Sequence, residues 1–132
     1  MKMSETFKFD LITPERSILS TETTEVIIPA FEGQMTVLKD HIPIITFLKP
    51  GIITFLESSN SKNYLIDDGT VEFKNNYLLI LTENVIDLEK FDKSSAPNII
   101  NKLESEILQN QISDKEKFLI SSKIETLKEI SR

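Results

Sequence analysis

The sequence predicts an α+β fold, with an N-terminal antiparallel β-sandwich followed by a C-terminal antiparallel two-helix hairpin. Three observations carry that reading. Apolar residues alternate in steps of two as far as Leu88, turn residues interrupt the alternation at short intervals, and after residue 95 the apolar spacing becomes helical. The implied organisation is a β-sandwich over 1–89, a linker over 90–95 and a helical hairpin over 96–132.

The first strand is announced by Phe7, Phe9 and Leu11 alternating with Lys8 and Asp10, since successive strand side chains face opposite sides. Thr13-Pro14-Glu15 turns the chain, and Thr24, Val26 and Ile28 resume the alternation around Glu25. Further breaks fall at Phe31-Glu32-Gly33, Lys49-Pro50-Gly51, Ser58-Ser59-Asn60-Ser61, Asp68-Gly69 and Asn75-Asn76. Pro50-Gly51 suits a turn because Pro presets φ and Gly admits φ > 0. Asn75-Asn76 lies between Val71–Lys74 and Tyr77–Thr82, and Asn accepts the positive φ values of a type I′ hairpin. About eight to ten strands fit between Thr6 and Leu88, as a sandwich or barrel would need.

Lys90-Phe91-Asp92-Lys93-Ser94-Ser95 is polar, and Pro97 stands where an early helical residue should. Ile99, Ile100, Leu103, Ile107 and Leu108 then share one helical face. Ser113-Asp114-Lys115-Glu116 matches a capping box. Phe118, Ile120, Ile124, Leu127 and Ile130 continue the stripe in a second helix. Helices of about 15 residues are marginal in isolation, so these two are expected to dock on something.

Composition excludes much of chemistry. Fifteen Lys plus Arg stand against 21 Asp plus Glu, a net charge of −6, which disfavours phosphate backbones and anionic lipid. Residues 94–132 contain six basic and six acidic side chains, so the whole excess belongs to the β part. No Cys and one His, His41, leave no nucleophile–base pair and no ordinary zinc set. Three glycines, Gly33, Gly51 and Gly69, make no phosphate loop. Asp67-Asp68 are neighbours whose side chains diverge, which suits turn shaping better than acid–base work. His41 is open to a structural hydrogen bond or a partner contact. No catalytic, cofactor-binding or metal-ligating residue is assigned.

The run Ile42 to Leu56 is broken by Thr46, Lys49, Pro50 and Gly51 and falls short of the roughly 20 residues a spanning helix needs. Met1-Lys2-Met3-Ser4-Glu5 has neither the apolar core of a signal peptide nor the face of a transit peptide, so the chain is expected to stay where it is made.

The stretch from Phe31-Glu32-Gly33 through His41-Ile42-Pro43 to Lys49-Pro50-Gly51 closely resembles the signature of the epsilon subunits of F-type ATP synthases. Phe9 to Glu15 resembles that family's first strand and turn, and Asp68 to Glu72 with Leu78–Leu81 its later hairpin. The family often has Gly where Thr36, Asp40 and Asp68 stand. Some relatives bind ATP through Ile-Asp-x-x-Arg-Ala. Here Ile86-Asp87-Leu88-Glu89-Lys90-Phe91 replaces the Arg fork by Lys and the small residue by Phe, so no nucleotide is carried over.

The resemblance implies a non-catalytic rotor subunit of the central stalk, linking the gamma subunit to the c-ring and coupling proton flow to ATP synthesis. It would be peripheral, on the cytoplasmic face of a bacterial inner membrane. It implies that Glu32, Gly33 and His41 face the c-ring, at one end of the sandwich, and leaves the gamma interface unassigned. It also implies helices that reach the catalytic head, where their balanced charge would make inhibition of hydrolysis modest. The alternative is a β-sandwich ligand-binding module with a helical oligomerisation tail.

Overall fold

A computed structural model describes residues 5–109 and 111–131. Ten strands occur among them: β1 (Phe7–Ile12), β2 (Ser17–Thr23), β3 (Glu25–Ala30), β4 (Gly33–Leu38), β5 (Ile44–Leu48), β6 (Gly51–Glu57), β7 (Asn60–Ile66), β8 (Gly69–Lys74), β9 (Tyr77–Thr82) and β10 (Val85–Asp87). A 3₁₀ turn over Lys93–Ser95 leads into α1 (Ala96–Ile107), and α2 (Asp114–Ile130) follows. The N-terminal Met1 to Ser4, Asn110 and Arg132 lie outside the described residues.

Strand order is β10-β7-β6-β3-β5-β8-β9-β1-β2, with β4 paired to β3. The sheet curls over itself, and the buried Thr23 closes it by donating its hydroxyl to the Leu56 carbonyl at 2.8 Å, joining the end of β2 to β6. One pairing departs from the expected antiparallel sandwich: β1 and β9 run parallel, with Phe9 opposite Leu78 and Leu11 opposite Ile80. Alternation reports which residues face inward and is silent about strand direction, so this pair was invisible in the sequence.

Inward-facing Phe7, Phe9, Leu11, Val26, Ile28, Ile53, Phe55, Val71, Phe73, Leu78 and Ile80 fill the space between the layers. The Phe7–Phe73 and Phe9–Phe55 rings meet edge to face, 5.5 and 5.3 Å between centroids. Each such buried side chain contributes about 1.5–3 kcal/mol. A second cluster joins Leu65 on β7 to Ile100, Ile124 and Leu127, with Ile99, Leu103, Ile107, Ile120 and Ile130 around it. The helical stripe therefore docks on its own sandwich. That buries Ile100, Ile124 and Leu127, the centre of the stripe on which an oligomerisation tail would depend.

The turns work for mixed reasons. Asn75 and Asn76 take φ of 53° and 57°, as the hairpin requires. Asp40 holds φ 65°, a region Asp accepts better than most residues. Gly51 is not in the left-handed region; a Cβ there would meet Pro29 Cβ at 2.8 Å, so close approach demands it. Leu108, expected on the buried helical face, is the C-cap of α1 and 82% exposed. The helix ends one residue too early to turn it inward.

Candidate functional site

The outer face of β5-β8-β9-β1 is an ordered grid. Pairing sets Phe47, Thr70, Leu81 and Ile12 in one row across the strands. Ile45, Glu72, Leu79 and Asp10 form the next, and Lys74, Tyr77 and Lys8 the third. Ile45 is 84% exposed and Phe47 63%, with Leu81 and Tyr77 also open to solvent. The face is thus apolar at one end and basic at the other. Side chains of this kind standing together in water mark an interaction surface.

The resemblance assigns this face no role, although the sequence carries a signal for it. Ile44-Ile45-Thr46-Phe47-Leu48 and Tyr77-Leu78-Leu79-Ile80-Leu81 are apolar in both phases of the alternation. A strand apolar on both sides is usually covered on both sides.

The basic end is tightly organised. The Tyr77 hydroxyl donates to Asp10 Oδ2 at 2.6 Å, and the Lys8 ammonium lies 5.3 Å from the Tyr77 ring centroid. Burial alone would raise the Asp10 pKa, but hydrogen bonding from Ser20 and Tyr77 and the Lys8 charge together hold it below the ordinary carboxylate value. The bond to Asp10, then burial, raise the Tyr77 pKa.

The three residues expected at the c-ring do not share one end. Glu32 is exposed in the β3–β4 turn beside Gly33, whose φ is 139°. His41 follows β4 at the other end, its backbone N–H donating to the Leu38 carbonyl at 3.1 Å. The six residues of β4 lie between them, roughly 17 Å of extended chain. Glu32 and Gly33 stay together and His41 does not join them, because nearness in sequence across a strand means separation in space. The half-buried His41 donates from Nδ1 to the Ile42 carbonyl at 2.8 Å, and its ring stands edge-on to Phe73. Its loop is clipped to the β8–β9 turn by a reciprocal pair: Asp40 N–H to Asn76 Oδ1 at 2.7 Å, and Asn76 Nδ2 to Asp40 Oδ1 at 2.9 Å.

Around the Glu32 end lie the contacts that dock α2. Lys123 Nζ pairs with Asp67 Oδ1 at 2.9 Å, while Asn84 Nδ2 donates to Asp67 Oδ2 at 2.7 Å. Ser122 Oγ donates to the Pro50 carbonyl at 2.7 Å. Asp67 therefore does more than shape its turn; it anchors the hairpin, a role only the fold creates. Phe31, beside Glu32, touches Phe47 on one side (6.3 Å between centroids) and Phe118 of α2 on the other (5.5 Å).

The segment that matches the nucleotide motif is engaged locally. Asp87 Oδ1 accepts from Glu89 N–H at 2.9 Å, and Glu89 pairs with Lys62 at 3.3 Å. A groove of about 600 Å³ between β6 and α2 is lined by Lys49, Lys128, Glu125 and Glu129 among others. Among the described residues, no three His, Asp or Glu side chains gather as metal ligands. No helix there is long and apolar enough to cross a membrane.

Comparison with known proteins places this architecture. Residues 6–87 match the family described as ATP synthase, Delta/Epsilon chain, beta-sandwich domain. An ATP synthase epsilon chain of Pelagibacter ubique is 45% identical over 130 residues, covering 98% of this chain and 100% of the relative. One from Rhizobium etli is 35% identical over 106 residues, 80% of this chain and 78% of the relative. Among solved structures, a chain of the Euglena gracilis mitochondrial ATP synthase superposes with a TM-score of 0.74 at 19% identity, covering 93% of this chain and 78% of its own. A chain from the Tetrahymena thermophila enzyme gives 0.64 at 14% identity, covering 95% and 96%. The structural likenesses show a shared fold, the Pelagibacter match runs over 98% of the chain, and the chain belongs to the ATP synthase epsilon-chain family.

Proposed function

We propose that this chain is a central-stalk rotor subunit of an F-type ATP synthase. It is seated on the gamma subunit by the apolar β5-β8-β9 face and on the c-ring by the Glu32–Gly33 turn. It works by stiffness and adhesion, as a torque-bearing adapter that catalyses nothing itself. The observation that carries the reading is the outward apolar patch of Phe47, Leu81 and Ile45, whose Phe47 touches Phe31, the neighbour of the exposed Glu32. A stalk adapter needs two such surfaces at adjoining edges of one rigid block, and the doubly apolar strands supply one of them.

His41, at the far end, is assigned to holding its loop rather than to the ring. In the assembled enzyme the subunit lies peripherally, on the cytoplasmic face of a bacterial inner membrane. Its hairpin rests docked on the sandwich. The balanced helix charge gives it weak purchase in the catalytic head, hence modest inhibition of hydrolysis.

Assembly and coupling measured on three variants test this. Ile45→Asp is expected to lose gamma binding at least tenfold, since a charge is buried where an aliphatic side chain was. Glu32→Lys should assemble normally and lose ion-driven ATP synthesis, while His41→Ala should keep both. Normal gamma binding by Ile45→Asp, or full coupling in Glu32→Lys, would overturn the corresponding half.

A further inference from the structure

Phe31, Phe47 and Phe118 form a continuous apolar path from the sandwich face onto the helical hairpin. Phe47 belongs to the exposed row of β5, Phe31 is half-buried in the turn before Glu32, and Phe118 opens the first turns of α2 at 44% exposure. Nothing in the hairpin's own packing calls for Phe118 there. The buried cluster under α2 consists of Ile124 and Leu127 with Ile120 and Ile130, whereas Phe118 is directed to the turn.

We infer that the surface for the stalk partner does not end at the sandwich: the docked hairpin is part of it through Phe118. The inference rests on the reading of the β5-β8-β9 face as the gamma seat. Continuity with that face selects the occupant, because a partner that covers Phe47 reaches Phe31 and Phe118 without leaving the path. A partner lying across all three buries more apolar area when α2 is docked than when it is released. Binding and docking therefore strengthen each other, and linkage makes the effect reciprocal. The hairpin held by Lys123–Asp67 and Ser122–Pro50 acts as a sensor of whether the face is occupied.

The full chain and its Phe118→Ala, Phe118→Leu and Phe47→Ala variants, titrated with purified gamma subunit, provide the test. Phe118→Ala is expected to weaken binding about tenfold, the factor that 1.4 kcal/mol represents, with Phe118→Leu recovering most of it. Amide exchange across residues 114–130 is expected to slow when gamma binds the wild-type chain. Unchanged affinity in Phe118→Ala, or exchange in α2 that stays the same or quickens on binding, would overturn the inference. Phe47→Ala separates the two levels: if it leaves binding intact, the seat itself is wrong; if it weakens binding while Phe118→Ala does not, the seat stands and the hairpin is no part of it.

Discussion

Tyr77 shows how single side chains hold the basic end of the functional face. Its hydroxyl bonds Asp10 across the β9–β1 pairing, while Lys8 covers its ring. The folded-state pKa of Asp10 lies below the ordinary 3.8, so the ionised carboxylate stabilises the fold above that value. The contribution fades as pH falls through the lowered pKa. Tyr77→Phe should therefore move the Asp10 carboxyl titration, followed by NMR, upward toward 3.8. The cost in urea stability at neutral pH should be at most about 1 kcal/mol, because the site is partly open to water. That cost should shrink in acid, where both forms carry a protonated carboxyl. A titration that does not move would show that Tyr77 plays no part in holding the charge. Gly69 illustrates a different constraint at the same scale. A Cβ there would run into the Leu81 carbonyl oxygen, which closes the position to every other residue.

At the scale of elements, the two helices begin by different means. Ser113 and Glu116 form a true capping box, with Glu116 N–H donating to Ser113 Oγ at 3.1 Å. Asp114 and Glu116 also place negative charge at the positive end of the helix. At α1 the N-cap Ser95 caps no helix N–H with its side chain; its hydroxyl donates to the Asp92 carbonyl at 2.7 Å. Instead Asp92 caps the preceding 3₁₀ turn through Ser94 N–H at 2.9 Å, and Pro97 supplies the helical φ. Ser113→Ala is expected to cost about 1 kcal/mol and to raise amide exchange in the first turn of α2. Exchange unchanged there would mean that docking alone sets the helix start. Both the box and the Pro signal were readable in the sequence because capping is local: donor and acceptor lie three residues apart.

Over the whole molecule, the apolar side chains form two clusters, one within the sandwich and one where the helices meet β7. The sandwich core is complete without the helices, whereas the helical cluster depends on Leu65 from β7. Leu65→Ala should therefore weaken hairpin docking by about 2–5 kcal/mol while the strands stay protected. Hydrogen exchange resolved by segment checks this: loss in 96–130 with retention in β1, β8 and β9 is expected. Simultaneous loss in both would mean one cooperative unit. An adapter of this design keeps a rigid block for torque and a second unit that can leave without melting the first.

By itself the sequence determined the two periodicities, the turns at Asn75-Asn76 and Ser113 and the epsilon-type signature, because each is carried by residues close together in the chain. Only the tertiary structure decided that Glu32 and His41 stand at opposite ends and that β1 runs parallel to β9. It alone made Asp67 an anchor for Lys123, and it alone set Phe31 between Phe47 and Phe118. These facts depend on which strands become neighbours after the sheet closes. Strand alternation states which way a side chain points and leaves open what it will meet.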